Sequence, residues 1–88
     1  MTKLAKIPNS KIKKYVVIEF VTELMSNSYY VEAKSIKEAL DKTINKDDTL
    51  SFIKVSCEVF IHTIYYTRVI VQNVLTGRNY YYVRQNKV

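Results

Sequence analysis

From Ile12 onward the chain alternates, with Ile12, Val16, Ile18, Phe20, Thr22 and Leu24 on one side and Lys13, Tyr15, Val17, Glu19, Val21 and Glu23 on the other. A period of two is the signature of a strand. The first set predicts its buried face and the second a mixed one. The short polar side chains of Ser26-Asn27-Ser28 can bond their own backbone and predict a turn. Alternation resumes over Tyr29–Lys34, which completes a first hairpin.

Ser35-Ile36-Lys37-Glu38 then fits a capping box, in which the serine hydroxyl accepts from the third helical amide and the glutamate reaches back to the serine amide. Behind it, Ile36, Ala39, Leu40, Thr43 and Ile44 recur at helical spacing. The helix ends at Asn45–Asp48. About three turns are marginal alone in water, so this helix is expected to pack its stripe on the sheet.

Leu50–Leu75 is rich in β-branched and aromatic residues and has neither glycine nor proline, which favours strand over helix. Ile53, Val55, Cys57, Val59 and Ile61 form an apolar face, with Lys54, Ser56, Glu58 and His62 opposite. Unbroken, such a strand would run roughly 80 Å, too long for a domain this small, so a reversal is expected near Thr63–Tyr66. Val74-Leu75-Thr76-Gly77-Arg78 predicts a three-residue bulged loop with Gly77 left-handed. That register sets Val71 opposite Tyr81 and Val69 opposite Val83. It also gathers Arg68, Ile70, Gln72, Tyr80, Tyr82 and Arg84 on one face. The resulting expectation is an α+β fold in two layers, an antiparallel sheet of about five strands in the order ββαβββ with one short amphipathic helix on it.

At 88 residues there is room for a single core. Residues 1–10 form a basic N-terminal arm and 11–88 the domain. No apolar run approaches the ~20 residues of a membrane-spanning helix, and the lysines near the N-terminus lack the apolar stretch of a signal peptide. One cysteine, Cys57, rules out an internal disulfide and a thiolate metal cluster. A cytoplasmic setting is the expectation. Abundant lysine, asparagine, isoleucine and tyrosine, with one glycine, point to an A/T-rich genome of bacterial or phage type.

Chemistry of the catalytic kind finds little support. His62 points away from Cys57, and Cys57 is expected on the apolar face as a small hydrophobe. Asp41, Asp47 and Asp48 read as solvated helix-end charge, and Glu32-Ala33-Lys34 has no aspartate before it to complete a metal-nuclease pattern. One glycine cannot build a phosphate-cradling loop. No enzyme activity, metal or cofactor is expected.

The net charge of +6 sits at the two ends. Met1–Lys14 holds five lysines and Tyr66–Val88 holds three arginines and a lysine, neither segment has an acid, and the middle is slightly acidic. Basic ends suggest a polyanion. The expected binding set is Lys3, Lys6, Lys11, Lys13, Lys14, Arg68, Arg78, Tyr80, Tyr82, Arg84 and Lys87. In it a phosphate relieves the repulsion between facing Arg68 and Arg84 while tyrosine rings stack on unpaired bases. RNA or another single-stranded nucleic acid is the expected partner, because a sheet face is present and a recognition helix is not. The alternative is an accessory protein of phage type that inhibits a host or defence enzyme by direct contact, since tyrosine and arginine are enriched at interface hot spots. An exposed sheet edge also offers pairing with a protein or a second copy.

Overall fold

The computed structural model describes residues 11–22, 24–45, 51–59 and 63–86. Strands β1 (Lys13–Phe20) and β2 (Ser26–Ala33) precede helix α1 (Ile36–Thr43), and β3 (Ser51–Val55), β4 (Tyr66–Asn73) and β5 (Asn79–Gln85) follow. All neighbouring strands are antiparallel, in the spatial order β2-β1-β4-β5-β3. The α+β architecture and the ββαβββ order are those the pattern predicts. The N-terminal arm, Asp47, Asp48, Ile61 and His62 lie outside the described residues.

Helix α1 forms where its cap lies. The Ser35 hydroxyl accepts from the Glu38 amide at 3.2 Å. The Glu38 carboxylate accepts from the Lys34 amide at 2.6 Å, one residue earlier than the serine amide expected. Ala39, Leu40 and Thr43 are buried, and Ile36 and Ile44 pack beside them. This stripe rests on Tyr15, Val17, Ala33, Val69 and Val71.

The buried face of β1 is therefore Tyr15 and Val17, the set expected to be mixed, while Val16, Ile18 and Phe20 are only partly covered. Both sets are apolar enough to go inside, and the choice fell to the face that the helix caps. The first turn also differs. Phe20 pairs with Ser26, so Ser26–Ser28 belong to β2, and the reversal is made at Val21–Met25. There the Val21 amide donates to the Met25 carbonyl at 2.9 Å, and the Thr22 hydroxyl accepts from the Met25 amide at 3.0 Å.

The third segment departs further. Strand β3 stops at Val55, and Cys57 is exposed beyond it, not part of an apolar strand face. β3 and β4 both run antiparallel to β5, which lies between them, so they point the same way and no tight reversal joins them. Beyond β3, the described residues Glu58 and Val59 cross to the face of the sheet away from α1. Arg68, on that face, donates to the Glu58 carboxylate at 3.0 Å and to the Val59 carbonyl at 3.2 Å.

The β4–β5 hairpin is closed by a longer loop than predicted. The Asn73 amide donates to the Arg78 carbonyl at 2.9 Å, and the Gly77 amide donates to the Asn73 carbonyl at 2.8 Å. The Asn73 side chain accepts from the Leu75 and Thr76 amides at 3.0 and 3.2 Å. Gly77 is left-handed as expected, at φ +73°. The extra loop residue shifts the register by one, so Val71 faces Tyr80 and Val69 faces Tyr82. A shift of one residue exchanges every side chain between the two faces.

Candidate nucleic-acid interface

That register separates the arginines. Tyr80, Tyr82 and Arg84 share the α1 side of the sheet with Val71, Val69 and Thr67, whereas Arg68 lies on the opposite face, across from Val83. The expected confrontation of Arg68 with Arg84 does not occur. Each has an acid instead. Arg84 donates to the Glu19 carboxylate and to Asn86 Oδ1, the latter at 3.1 Å, and the Arg84 and Glu19 side chains are only 14% and 16% exposed. Arg68 pairs with Glu58 and lies 4.0 Å from the centre of the Phe20 ring, its side chain 11% exposed. Both guanidinium groups are built into the fold.

Apart from Lys37 and Lys42, which are paired on α1, the remaining described cations gather elsewhere. In an antiparallel sheet the start of β1, the end of β2, the β4–β5 turn and the end of β3 lie at one end of the layer. Lys11, Lys13, Lys14, Lys34, Lys54 and Arg78 belong to these segments, and all six are exposed. Lys11, Lys13, Lys14, Lys54 and Arg78 join no ion pair among the described residues. Arg68 and Arg84 lie toward the other end, Arg84 six positions along β5 from Arg78, or about 20 Å.

Tyr80 is the centre of this basic end. Lys54 Nζ lies 5.8 Å and Arg78 Cζ 5.5 Å from the centre of its ring, within the range where a cation is drawn to the electron-rich ring. Arg78 precedes Tyr80 by two positions and so shares its face. Lys54 reaches it from β3, where it pairs with Tyr82. Helix α1 packs chiefly on β1 and β2, Tyr82 packs against the core beside it, and the Tyr80 and Tyr82 rings keep partial exposure.

Burial raises the Tyr82 phenol above its ordinary value, and Tyr80 and Tyr15 nearby raise it further; Tyr15 is raised by burial and by Tyr80. These hydroxyls stay neutral near pH 7, so they remain hydrogen-bond donors and add no negative charge to the patch.

Of the expected set, the structure brings Lys11, Lys13, Lys14, Arg78 and Tyr80 to one end, with Tyr82 next along β5. It withdraws Arg68 and Arg84 into ion pairs. Lys3, Lys6 and Lys87 fall outside the described residues. Lys54 was missed by sequence reasoning. Its proximity to Tyr80 depends on β3 pairing with β5 across about thirty residues of chain, which no local pattern records. Among the described residues no helix is long and apolar enough to cross a membrane. No family model, curated protein or solved structure matches this chain.

Proposed function

We propose that this chain binds single-stranded nucleic acid, RNA in the first instance, at the basic end of its sheet. The observation that carries the reading is the placement of Lys54 and Arg78 beside the Tyr80 ring, exposed and without an acid among the described residues. A single strand needs cations that follow its backbone and a flat ring on which a base can stack, at roughly 1–3 kcal/mol per base. Tyr80 supplies the ring. Lys54 and Arg78, beside that ring, would neutralise the phosphates flanking a stacked base, and Lys11, Lys13 and Lys14 would extend the positive track along the same end.

The test is anisotropy of a labelled single-stranded RNA titrated at several salt concentrations. Each phosphate neutralised adds about 0.7 to the slope of log affinity against log salt. Arg78→Ala and Lys54→Ala are each expected to lower that slope by about 0.7. Tyr80→Leu is expected to weaken binding by about 1–3 kcal/mol with the slope unchanged. Affinity that is flat in salt, or indifferent to all three changes, refutes the proposal. In that event, a partner retained from lysate after nuclease treatment would favour the inhibitor of an enzyme instead.

A further inference from the structure

The two edges of the sheet are unlike. Strand β3 is five residues long and carries Lys54, features that keep an edge from pairing. Strand β2 is eight residues long, SNSYYVEA, with no lysine, proline or break in its ladder to β1. Its side chains Ser26, Asn27, Ser28, Tyr30 and Glu32 are exposed, Tyr30 by 83%.

The ladder fixes which backbone groups face outward. The Val74 amide donates to the Lys14 carbonyl, so the even residues of β1 turn their peptide groups toward β4 and the odd residues toward β2. Tyr15, Val17 and Glu19 pair with Val31, Tyr29 and Asn27. It follows that Ser26, Ser28, Tyr30 and Glu32 direct their N–H and C=O groups to the free edge. Lys42 Nζ donates to the Glu32 carbonyl at 3.0 Å from that side, and the oxygen retains a second lone pair.

We infer that a second copy of this chain pairs with β2 through its own β2, antiparallel, on a two-fold axis at Tyr29. This register sets Ser28 against Tyr30 and Ser26 against Glu32, and it uses all four outward residues of each copy. Charge selects the direction. Glu32 is the single charged residue of the strand, so antiparallel pairing sets it opposite a serine, while in-register parallel pairing would set Glu32 against Glu32. Closure selects the partner edge. Pairing of β2 with β3 of another copy would be head-to-tail and open-ended, whereas β2 with β2 closes as a dimer. Tyr80 and its cations, near the other side of each sheet, stay free, so the inference does not depend on nucleic-acid binding.

The experiment is sedimentation velocity of the full chain across a wide concentration range, with amide exchange as a second readout. The wild type is expected to be a dimer at the upper concentrations, with the Ser28 and Tyr30 amides protected. Ser28→Pro removes an outward donor on both sides of the axis and leaves the β1 ladder intact, and it is expected to weaken the dimer about thirtyfold. Tyr30→Lys adds an edge charge without touching the backbone and is expected to dissociate the dimer while the circular dichroism spectrum stays that of the wild type. A monomer at every concentration, or a dimer indifferent to both substitutions, overturns the inference.

Discussion

Replacing Glu19 with glutamine removes one charge and keeps the shape, which makes it a direct probe of the pair that holds Arg84. The guanidinium stays charged and would retain a neutral acceptor, so one charged hydrogen bond survives and what is lost is the attraction of the opposite charge. Arg84 keeps its bonds to Asn86 and Thr67, at 3.1 and 3.4 Å, but loses its counter-charge at a site where its side chain is 14% exposed. An exposed pair would contribute about 0–1 kcal/mol, and removing one partner of a fully buried pair would cost about 3–5. Glu19 and Arg84 lie between, so the expected loss is about 2 kcal/mol.

In a chain of this size each kcal/mol moves Tm by about 4–8 °C, so Glu19→Gln should melt some 8–16 °C below the wild type. The double variant Glu19→Leu with Arg84→Met replaces the pair by apolar side chains of similar size and should recover most of that loss. Urea denaturation of the wild type, Glu19→Leu, Arg84→Met and the double variant closes the cycle, with Glu19→Gln measured beside it. A single-variant loss of about 0.5 kcal/mol or less, the behaviour of an exposed pair, would show that Arg84 is not tied into the fold and would return it to the set of free cations. RNA affinity of the double variant is expected to match the wild type, in contrast to Arg78→Ala.

Gly77→Ala places a side chain at φ +73° where no atom lies within 4 Å, so the cost is backbone strain alone, about 1 kcal/mol in denaturant titration, and Gly77→Asn should cost less. Ser35→Ala deletes the cap of α1 and should lower stability by about 1 kcal/mol, with Ser35→Asp restoring it. The Tyr15 and Tyr82 phenols are raised above 10.0, so the folded state holds protons that the unfolded chain releases. Their contribution to stability is whole below about pH 10 and is lost as pH rises through the folded values, and Tyr15→Phe should flatten that alkaline loss in pH-dependent melts. At the acid end the Glu38 and Asp41 carboxyls are held below 4.5 and 3.8, Glu38 chiefly by the Lys34 amide and Asp41 by Lys37. Their contribution is present above those values and is lost as pH falls through the folded ones, and Glu38→Gln should flatten the fall in Tm over that range.

Local pattern along the chain was enough for the class of fold, the order of elements, the helix with its cap and buried stripe, and the left-handed glycine of the last hairpin. Each of these follows from interactions between residues a few positions apart, where spacing and side-chain chemistry suffice. Local pattern pointed to the wrong face of β1, because Val16-Ile18 is the more apolar set while Tyr15-Val17 is still apolar enough to be buried, and the docking of α1 selects the latter. It also did not determine the hairpin register, since one added loop residue keeps the alternation and exchanges the faces. The tertiary structure decided the rest of the candidate site. Pairing of β3 with β5 brought Lys54 to Tyr80, and packing of β1 and of the crossing segment supplied Glu19 and Glu58 to the arginines. Contacts between distant parts of the chain are selected by the sum of burial and charge pairing over the whole sheet, and no short stretch of sequence carries that sum.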